Sequence, residues 1–473
     1  MKKRSAKRIE KNRFIKLAQK RKHSKEMHKA NKIKKQKGKN LLYQIFLTIN
    51  RHFPNLYNSL REIEDCRRKS EYELIELLVA CIAMFIFKEG SRNAFNNDRD
   101  SEQFEKNYRK IFKLRFPHMD TVNNVMQKLK EEKLENLKKD MLKFILAKKI
   151  LHRFRFQKHW FVVAIDGTGV ISSSKRHCKY CSTKTSKNGK VTYYHTVLEA
   201  KLVCSNGFSL SLETEWSDNS YNDNNKQDCE AKAFIRLSKK LKKNYPRLPI
   251  CIVADGLYPN QTFFNICEKN NWNYIVTLKD GNLKTLWKEI ESTFQRHNEN
   301  KRSAICPKSG NNRISQNYRW VNGLCYKRFK LSWVECVETK INTKTEKKTE
   351  TCFTHICSFS VSAGTVREIS TTGRLRWKIE NEGFNVQKNQ GYNLEHRYSR
   401  NSMIAGKNYY QCMQIAHLIN QLVALSKICK TMICGKITLK HLWKLLIGYL
   451  IYIEVNIKEM SEYFFETKQI RYI

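Results

Sequence analysis

Apolar residues recur every three or four positions between residues 41 and 155. Leu74, Leu77, Leu78, Cys81 and Phe85 make one such stripe, and Met141, Phe144, Ile145 and Ile150 another. This spacing predicts helices that each bury one face, punctuated by Pro54 and Pro117. At about residue 156 the period changes. The run Trp160–Ile165 reads as a buried strand closing at Asp166, and Val191–Val203 and Phe208–Trp216 follow as strands around Gly207. A helix is expected over Asp228–Lys243, before Pro246, then a strand Ile250–Ala254 closing at Asp255. A helix Phe263–Asn270, a strand Asn273–Leu278 and a helix Leu283–Arg296 complete the alternation. Three adjacent strands followed by alternating helix and strand imply an α/β mixed sheet flanked by helices.

The rhythm breaks at 298–371, which is rich in Thr, Ser, Asn, Lys and aromatic residues, with short alternating runs at Tyr326–Val337 and Phe353–Val361. This segment reads as a β-rich insertion. Helical spacing returns at 372 and continues past Tyr409 to Leu422, and Ile437–Phe465 again looks helical. The expected division is a basic arm (1–40), a helical N-terminal domain (41–155), a core in two parts (156–297 and 372–425) split by the insertion (298–371), and C-terminal helices (426–473).

Charge narrows the partner. The 473 residues carry a formal net charge of +46. The first 40 residues alone hold eighteen Lys or Arg against two Glu, so that arm reads as solvated and able to touch a polyanion backbone. Most of the excess lies outside the arm, and such a surface attracts phosphates strongly. An anionic membrane is the rival partner, but the longest apolar run, Leu77–Phe87, falls well short of the ~18 residues that suggest a span. No apolar segment of signal type follows the basic N-terminus. The 16 cysteines then read mostly as reduced, buried thiols of a cytoplasmic protein.

Three acids stand out against this background: Asp166 and Asp255 at the ends of apolar runs, and Glu380 within Arg374-Leu-Arg-Trp-Lys-Ile-Glu-Asn-Glu-Gly-Phe384. Carboxylates carried on rigid strand ends suit a site for two divalent ions, which can stabilise both attacking and leaving oxygens of an in-line phosphoryl transfer. Mg²⁺ or Mn²⁺ fits oxygen ligands of this kind. At ~100° per residue, Leu375, Ile379 and Val386 share a stripe about 40° wide that should face the core. Arg376 lies one turn before Glu380 beside that stripe, Gly383 leaves room for close approach, and Lys388 lies about two turns further on. Arg376 and Lys388 are candidate phosphate contacts. Glu382 is a near neighbour that could be mistaken for the ligand. Glu213 is a weaker candidate for an accessory acid, and Asp228, Cys229 and Glu230 read as cap and first-turn residues of their helix.

At these residues the chain resembles bacterial insertion-sequence transposases of the DDE type, with a ribonuclease H-like core. The matching stretches are Ala164-Ile-Asp-Gly-Thr-Gly169, Val253-Ala-Asp-Gly-Leu-Tyr258, Arg376-Trp-Lys-Ile-Glu-Asn-Glu-Gly-Phe-Asn385 and Lys388-Asn-Gln-Gly-Tyr-Asn-Leu-Glu-His396. The resemblance covers roughly 156–420, with a weaker trace at Gly90-Ser-Arg-Asn93 and in the helices after it. It implies that Asp166, Asp255 and Glu380 hold metal, that Arg376 and Lys388 meet phosphate, and that a homodimer acts on paired DNA ends. Two features depart from the family's Tyr-Arg-Glu-Lys signature: Gly373 stands where a Tyr is usual, and the Lys comes one residue late. The insertion fits family members interrupted at the same point, where Trp320 and Trp333 could stack on a displaced base; the alternative is that they form the insertion's own core.

His177, Cys178, Cys181 and His195 offer two thiols and two imidazoles, a possible structural zinc set. Similar Cys/His segments occur in the transposases the chain resembles, and ordinary loop residues are the alternative. The function expected is metal-dependent cleavage at the terminal inverted repeats of an insertion sequence, followed by strand transfer of the 3′-hydroxyl into target DNA. The rivals are a nuclease or resolvase on the same core, and a catalytically decayed DNA-binding protein.

Overall fold

The computed structural model describes residues 33–175, 181–217, 229–296, 300–400, 402–433, 437–466 and 469–472. The basic arm therefore lies almost wholly outside the described residues. The chain forms two compact units, one from the segments up to Val125 and from Leu422 onward, the other from Met126–Gln421.

The first unit is helical and joins both ends of the chain. At its centre is the helix Leu74–Ile86, all thirteen residues of which are buried. The expected one-sided stripe is therefore too narrow a reading: a helix apolar on every side is enclosed on every side. Just past its end, Phe87 begins a cluster with Phe95, Phe104, Phe112 and Phe116, whose rings pack edge-to-face or tilted on one another. Polar caps then tie the C-terminal helices into the same unit. The Asn107 amide donates to the carbonyls of Leu450 and Ile453, both at 2.7 Å, and accepts from the Val455 amide at 2.9 Å. The Trp443 indole donates to the Ile86 carbonyl at 2.8 Å. The C-terminal helices are thus part of the N-terminal unit, not a separate appendage. Among the described residues no helix is long and apolar enough to cross a membrane.

The second unit is a mixed ten-stranded sheet with helices against it. Its strands are β1 Phe161–Ser173, β2 Ser182–Thr185, β3 Val191–Val203, β4 Ser209–Trp216, β5 Ile250–Ala254, β6 Asn273–Thr277, β7 Lys301–Ser309, β8 Asn312–Tyr326, β9 Phe329–Asn342 and β10 Lys348–Cys357. They run in the order β2-β3-β1-β5-β6-β10-β9-β8-β7, with β4 also on β3. β1, β5 and β6 are parallel to one another. Their apolar runs are buried on both faces, as central parallel strands require. The helix Glu230–Asn244 packs on β3 and β4, and the helix Gln261–Asn270 on β6. The latter is capped by Asn260, whose side chain accepts from the Phe263 amide at 3.0 Å, and it stops at Asn271 in the left-handed region.

The segment read as an insertion forms the antiparallel meander β7–β10. It is continuous with the central sheet, because β10 pairs with β6 through His355↔Thr277, Ile356↔Val276 and Cys357↔Ile275. The run Tyr326–Val337 is not one strand. It turns at Lys327-Arg328, where Lys327 has φ +55° and Tyr326 pairs with Phe329. Trp320 and Trp333 are buried at 5% and 1% exposure. Both belong to the packing of the meander, the second of the two readings their sequence allows.

Candidate active site

Register brings the two aspartates together. The parallel pairing of β1 with β5 ends at Ala164↔Val253. Asp166 and Asp255 each lie two residues beyond that pair, so alternation sends both side chains to the same face. Asp255 closes β5 as expected. Asp166 does not close its strand: β1 runs on to Ser173, paired with β3 as far as Val170↔His195 and again at Ser173↔Tyr193. It sits instead where β1 outlasts its parallel neighbour, in the notch that opens beside a sheet when one strand stops.

Glu380 comes from the far end of the unit's sequence. The helix Val366–Arg374 does not run through it. A turn intervenes, and Ile379–Phe384 is a π-helical stretch that leads into the α-helix Asn385–Asn389. The wider turn shifts the buried side away from the stripe expected at 100° per residue. Ile379, Gly383, Phe384 and Gln387 are buried, while Leu375 and Val386 are only half-buried. The π turn is pinned to the sheet on both sides. A Cβ on Gly383 would stand 3.0 Å from Ser209 Oγ and 3.4 Å from the side chain of Lys201. Gln421 donates to the Glu382 carbonyl at 3.0 Å and accepts from the Ser209 amide at 2.8 Å. The Lys201 ammonium donates to Gln387 at 3.3 Å and Gln414 at 3.4 Å, and burial pulls it down to about 8.

Arg376 joins the segments electrostatically. Its Nη1 lies 3.4 Å from Glu380 Oε1 and 3.6 Å from Asp166 Oδ2. It is 8% exposed and its guanidinium lies 4.3 Å from the Trp377 ring centroid. Arg376 therefore faces the carboxylates rather than open solvent. Burial pushes Asp166 up to about 7; Arg376 opposes this, while Glu380 and then Glu230 reinforce it. Among the described residues no three His, Cys, Asp or Glu side chains close on one point as a ready-made metal cage. Cations of the chain lie against the acids instead, Arg376 between Asp166 and Glu380 and Lys279 on Asp255 at 3.1 Å.

Two side chains read otherwise in the sequence, or passed over there, belong to this cluster. Each uses a glycine that follows an aspartate. A Cβ on Gly167 would overlap the Glu230 carboxylate, and a Cβ on Gly256 would overlap the Lys279 stem. Glu230 is thus more than a first-turn acid. Lys279, with a side chain 56% exposed, is the cation at the open edge. Its loop is latched by Asn282, which donates to the Gly256 carbonyl. The repeated Asp-Gly was the signal for both.

The remaining candidates lie elsewhere. Lys388 pairs with Glu395 at 2.9 Å, and no contact joins it to the aspartates. Glu382 pairs with Lys378 at 3.1 Å. Glu213 is buried and accepts from Asn244 at 2.7 Å. Asn244 ends the helix that Glu230 begins, and 15 residues put the two acids roughly 20 Å apart. Trp377, 49% exposed and next to Arg376, is the accessible indole beside the cluster. Of the zinc set, Cys181 Sγ lies 3.4 Å from His195 Nε2 across β2 and β3. Burial pulls His195 down to about 4, which keeps a neutral imidazole. His177 and Cys178 lie outside the described residues.

Gly373 has its own explanation. A Cβ there would come within 2.6 Å of the His355 ring and 2.9 Å of Ile275. That ring is 3% exposed and cannot retreat. Gly373→Ala should therefore cost ~1–3 kcal/mol of overpacking, measured by denaturant unfolding. An unchanged midpoint would mean that the helix Val366–Arg374 lifts freely from the sheet.

No protein-family model matches the chain, and a search of curated proteins finds no matching relative.

Proposed function

We propose that this chain is a DNA transposase that cuts at the ends of an insertion sequence and joins the freed 3′-hydroxyl to target DNA. The observation that carries the reading is the equal offset of Asp166 and Asp255 beyond the last parallel pair, with Arg376 joining Asp166 to Glu380 from a distant segment. The strand order β4-β3-β1-β5-β6, an antiparallel trio followed by two parallel strands, supports a ribonuclease H-like core. The net charge of +46 supports a polyanionic substrate.

An all-carboxylate donor set suits Mg²⁺ or Mn²⁺ and not a softer ion. Asp166, Asp255 and Glu380 would hold two such ions, which supply charge stabilisation to the attacking and leaving oxygens. In cleavage a water oxygen bonds to phosphorus as the P–O3′ bond breaks, leaving a 5′-phosphate and a 3′-hydroxyl. In joining that hydroxyl attacks a target phosphorus, and one P–O bond again replaces another. Lys279 is placed to meet a non-bridging phosphate oxygen at the open edge. Arg376 sets the spacing of Asp166 and Glu380. Trp377 offers a face for a base drawn out of the duplex, the role first expected of Trp320. A homodimer on paired ends and a zinc held by His177, Cys178, Cys181 and His195 belong to the same proposal.

The test is incubation of labelled DNA carrying the element's own terminal repeat with the full chain and Mg²⁺ or Mn²⁺, followed by assay for cut ends and for joining to a plasmid. Cutting with joining is expected. Cutting without joining would replace the transposase by a nuclease or resolvase. End binding without cutting in either metal would leave a DNA-binding protein.

A further inference from the structure

Glu230 occupies a position that a cap residue does not need. Its carboxylate lies over the backbone of β1 at Gly167, beside Asp166, in space that any side chain at 167 would fill. The charges of Asp166 and Asp255 both reach it: Glu230 acts on Asp166, and Asp255 on Glu230. The other acids have cations, since Arg376 serves Asp166 and Glu380 and Lys279 serves Asp255. Among the described residues no Lys or Arg pairs with Glu230.

An independent feature points to the same spot. Tyr258 follows Asp255 by three residues and is only 5% exposed. Among the described residues its hydroxyl has no hydrogen-bond partner, and the charges of Glu230, Asp166 and Asp255 reach it. Buried hydroxyls are almost always paired. One that faces three carboxylates and is paired with none is placed to accept from water that a cation brings with it.

We infer that Glu230 is a fourth carboxylate ligand of the divalent-metal site, shared with Asp255, and that Tyr258 is the positioning residue for that ion's hydration. The inference rests on the metal-dependent reading above and extends it. Glu230 adds a negative charge on the Asp255 side, where Lys279 otherwise dominates. A hard cation gains from each further oxygen ligand.

The test is Mn²⁺ binding to the full chain without DNA, followed by electron paramagnetic resonance of the free ion, with thermal unfolding in metal-free buffer alongside. In Glu230→Gln the weaker-bound Mn²⁺ should lose affinity tenfold or more, and Tyr258→Phe should lose severalfold. Metal-free Glu230→Gln should unfold at a higher temperature than the parent, because an unpaired, half-buried charge has gone. A plain first-turn role predicts the opposite shift, since helix N-termini favour a negative charge. Glu230→Asp, which keeps the charge but shortens the reach, should also weaken Mn²⁺. Glu213→Gln, at the far end of the same helix, should leave it unchanged. Parental Mn²⁺ affinity in Glu230→Gln would overturn the inference alone, as would an equal loss in Glu213→Gln. A parent chain that binds no Mn²⁺ would overturn the metal-dependent reading, and the inference with it.

Discussion

Asp166→Asn should abolish cutting and joining while making the metal-free protein more stable. If Asp166 holds metal as proposed, its removal takes away transition-state charge stabilisation worth several kcal/mol, and each 1.36 kcal/mol is tenfold in rate. A fall of about 10³-fold or more is therefore expected, with DNA binding retained because it rests on the basic surface. The stability effect has the opposite sign. Asp166 is half-buried within reach of the Glu380 and Glu230 charges, and its carboxyl is pushed up to about 7, burial being the leading cause. At pH 8 it must ionise against that environment, at a cost on the order of a few kcal/mol. The neutral amide avoids that cost but gives up the 3.6 Å pairing with Arg376. Denaturant unfolding in a chelator at pH 8 should show a raised midpoint, and single-turnover cutting of terminal-repeat DNA should show the rate loss. A lowered midpoint would assign Asp166 to the fold through Arg376; undiminished cutting would remove it from the site.

The opposition between stability and chemistry also explains what could be read from the residues alone. The apolar runs ahead of Asp166 and Asp255 are central strands because nothing polar interrupts them, and their equal offset from the last parallel pair follows from strand periodicity. The region around Glu380 was less legible. Its spacing looks like a continuous α-helix, and only tertiary contacts from Lys201, Ser209 and Gln421 select the π turn. The same limit hid Glu230 and Lys279. Each reaches the cluster across a glycine, so the signal is a missing side chain at 167 and 256 rather than a present one. Trp320 allowed two readings for the complementary reason: an aromatic residue in a polar segment looks like a surface platform until the strand opposite is known, and here Val334 faces it in β9. The termini of the chain carry helical spacing at both ends, but periodicity is local and cannot show that Asn107 will cap Leu450 and Ile453.

The last expected result is an acid limit that metal can move. The folded-state carboxyl of Asp166 lies near 7, above its ordinary value of 3.8, with burial the leading cause. A carboxyl raised on folding favours the folded state while protonated. Its contribution is whole below about pH 4 and is lost as pH climbs through 7, so the metal-free protein should weaken across that window. Metal binding runs the other way, because the ligand must be ionised and the ion displaces the proton. With Asp166 near 7 and so half ionised at pH 7, Mn²⁺ affinity should fall about fivefold from pH 7 to 6 and about fiftyfold to pH 5. Cutting at limiting Mn²⁺ should follow the same acid limb, and saturating Mn²⁺ should shift that limb to lower pH. Arg376→Met should move it upward, because the cation that opposes protonation of Asp166 is gone. Initial rates from pH 5 to 8 at two Mn²⁺ concentrations decide the matter. A limb that stays in place as Mn²⁺ is raised would mean that a group outside the metal site controls the rate, and Asp166 would lose its role as the proton-linked ligand.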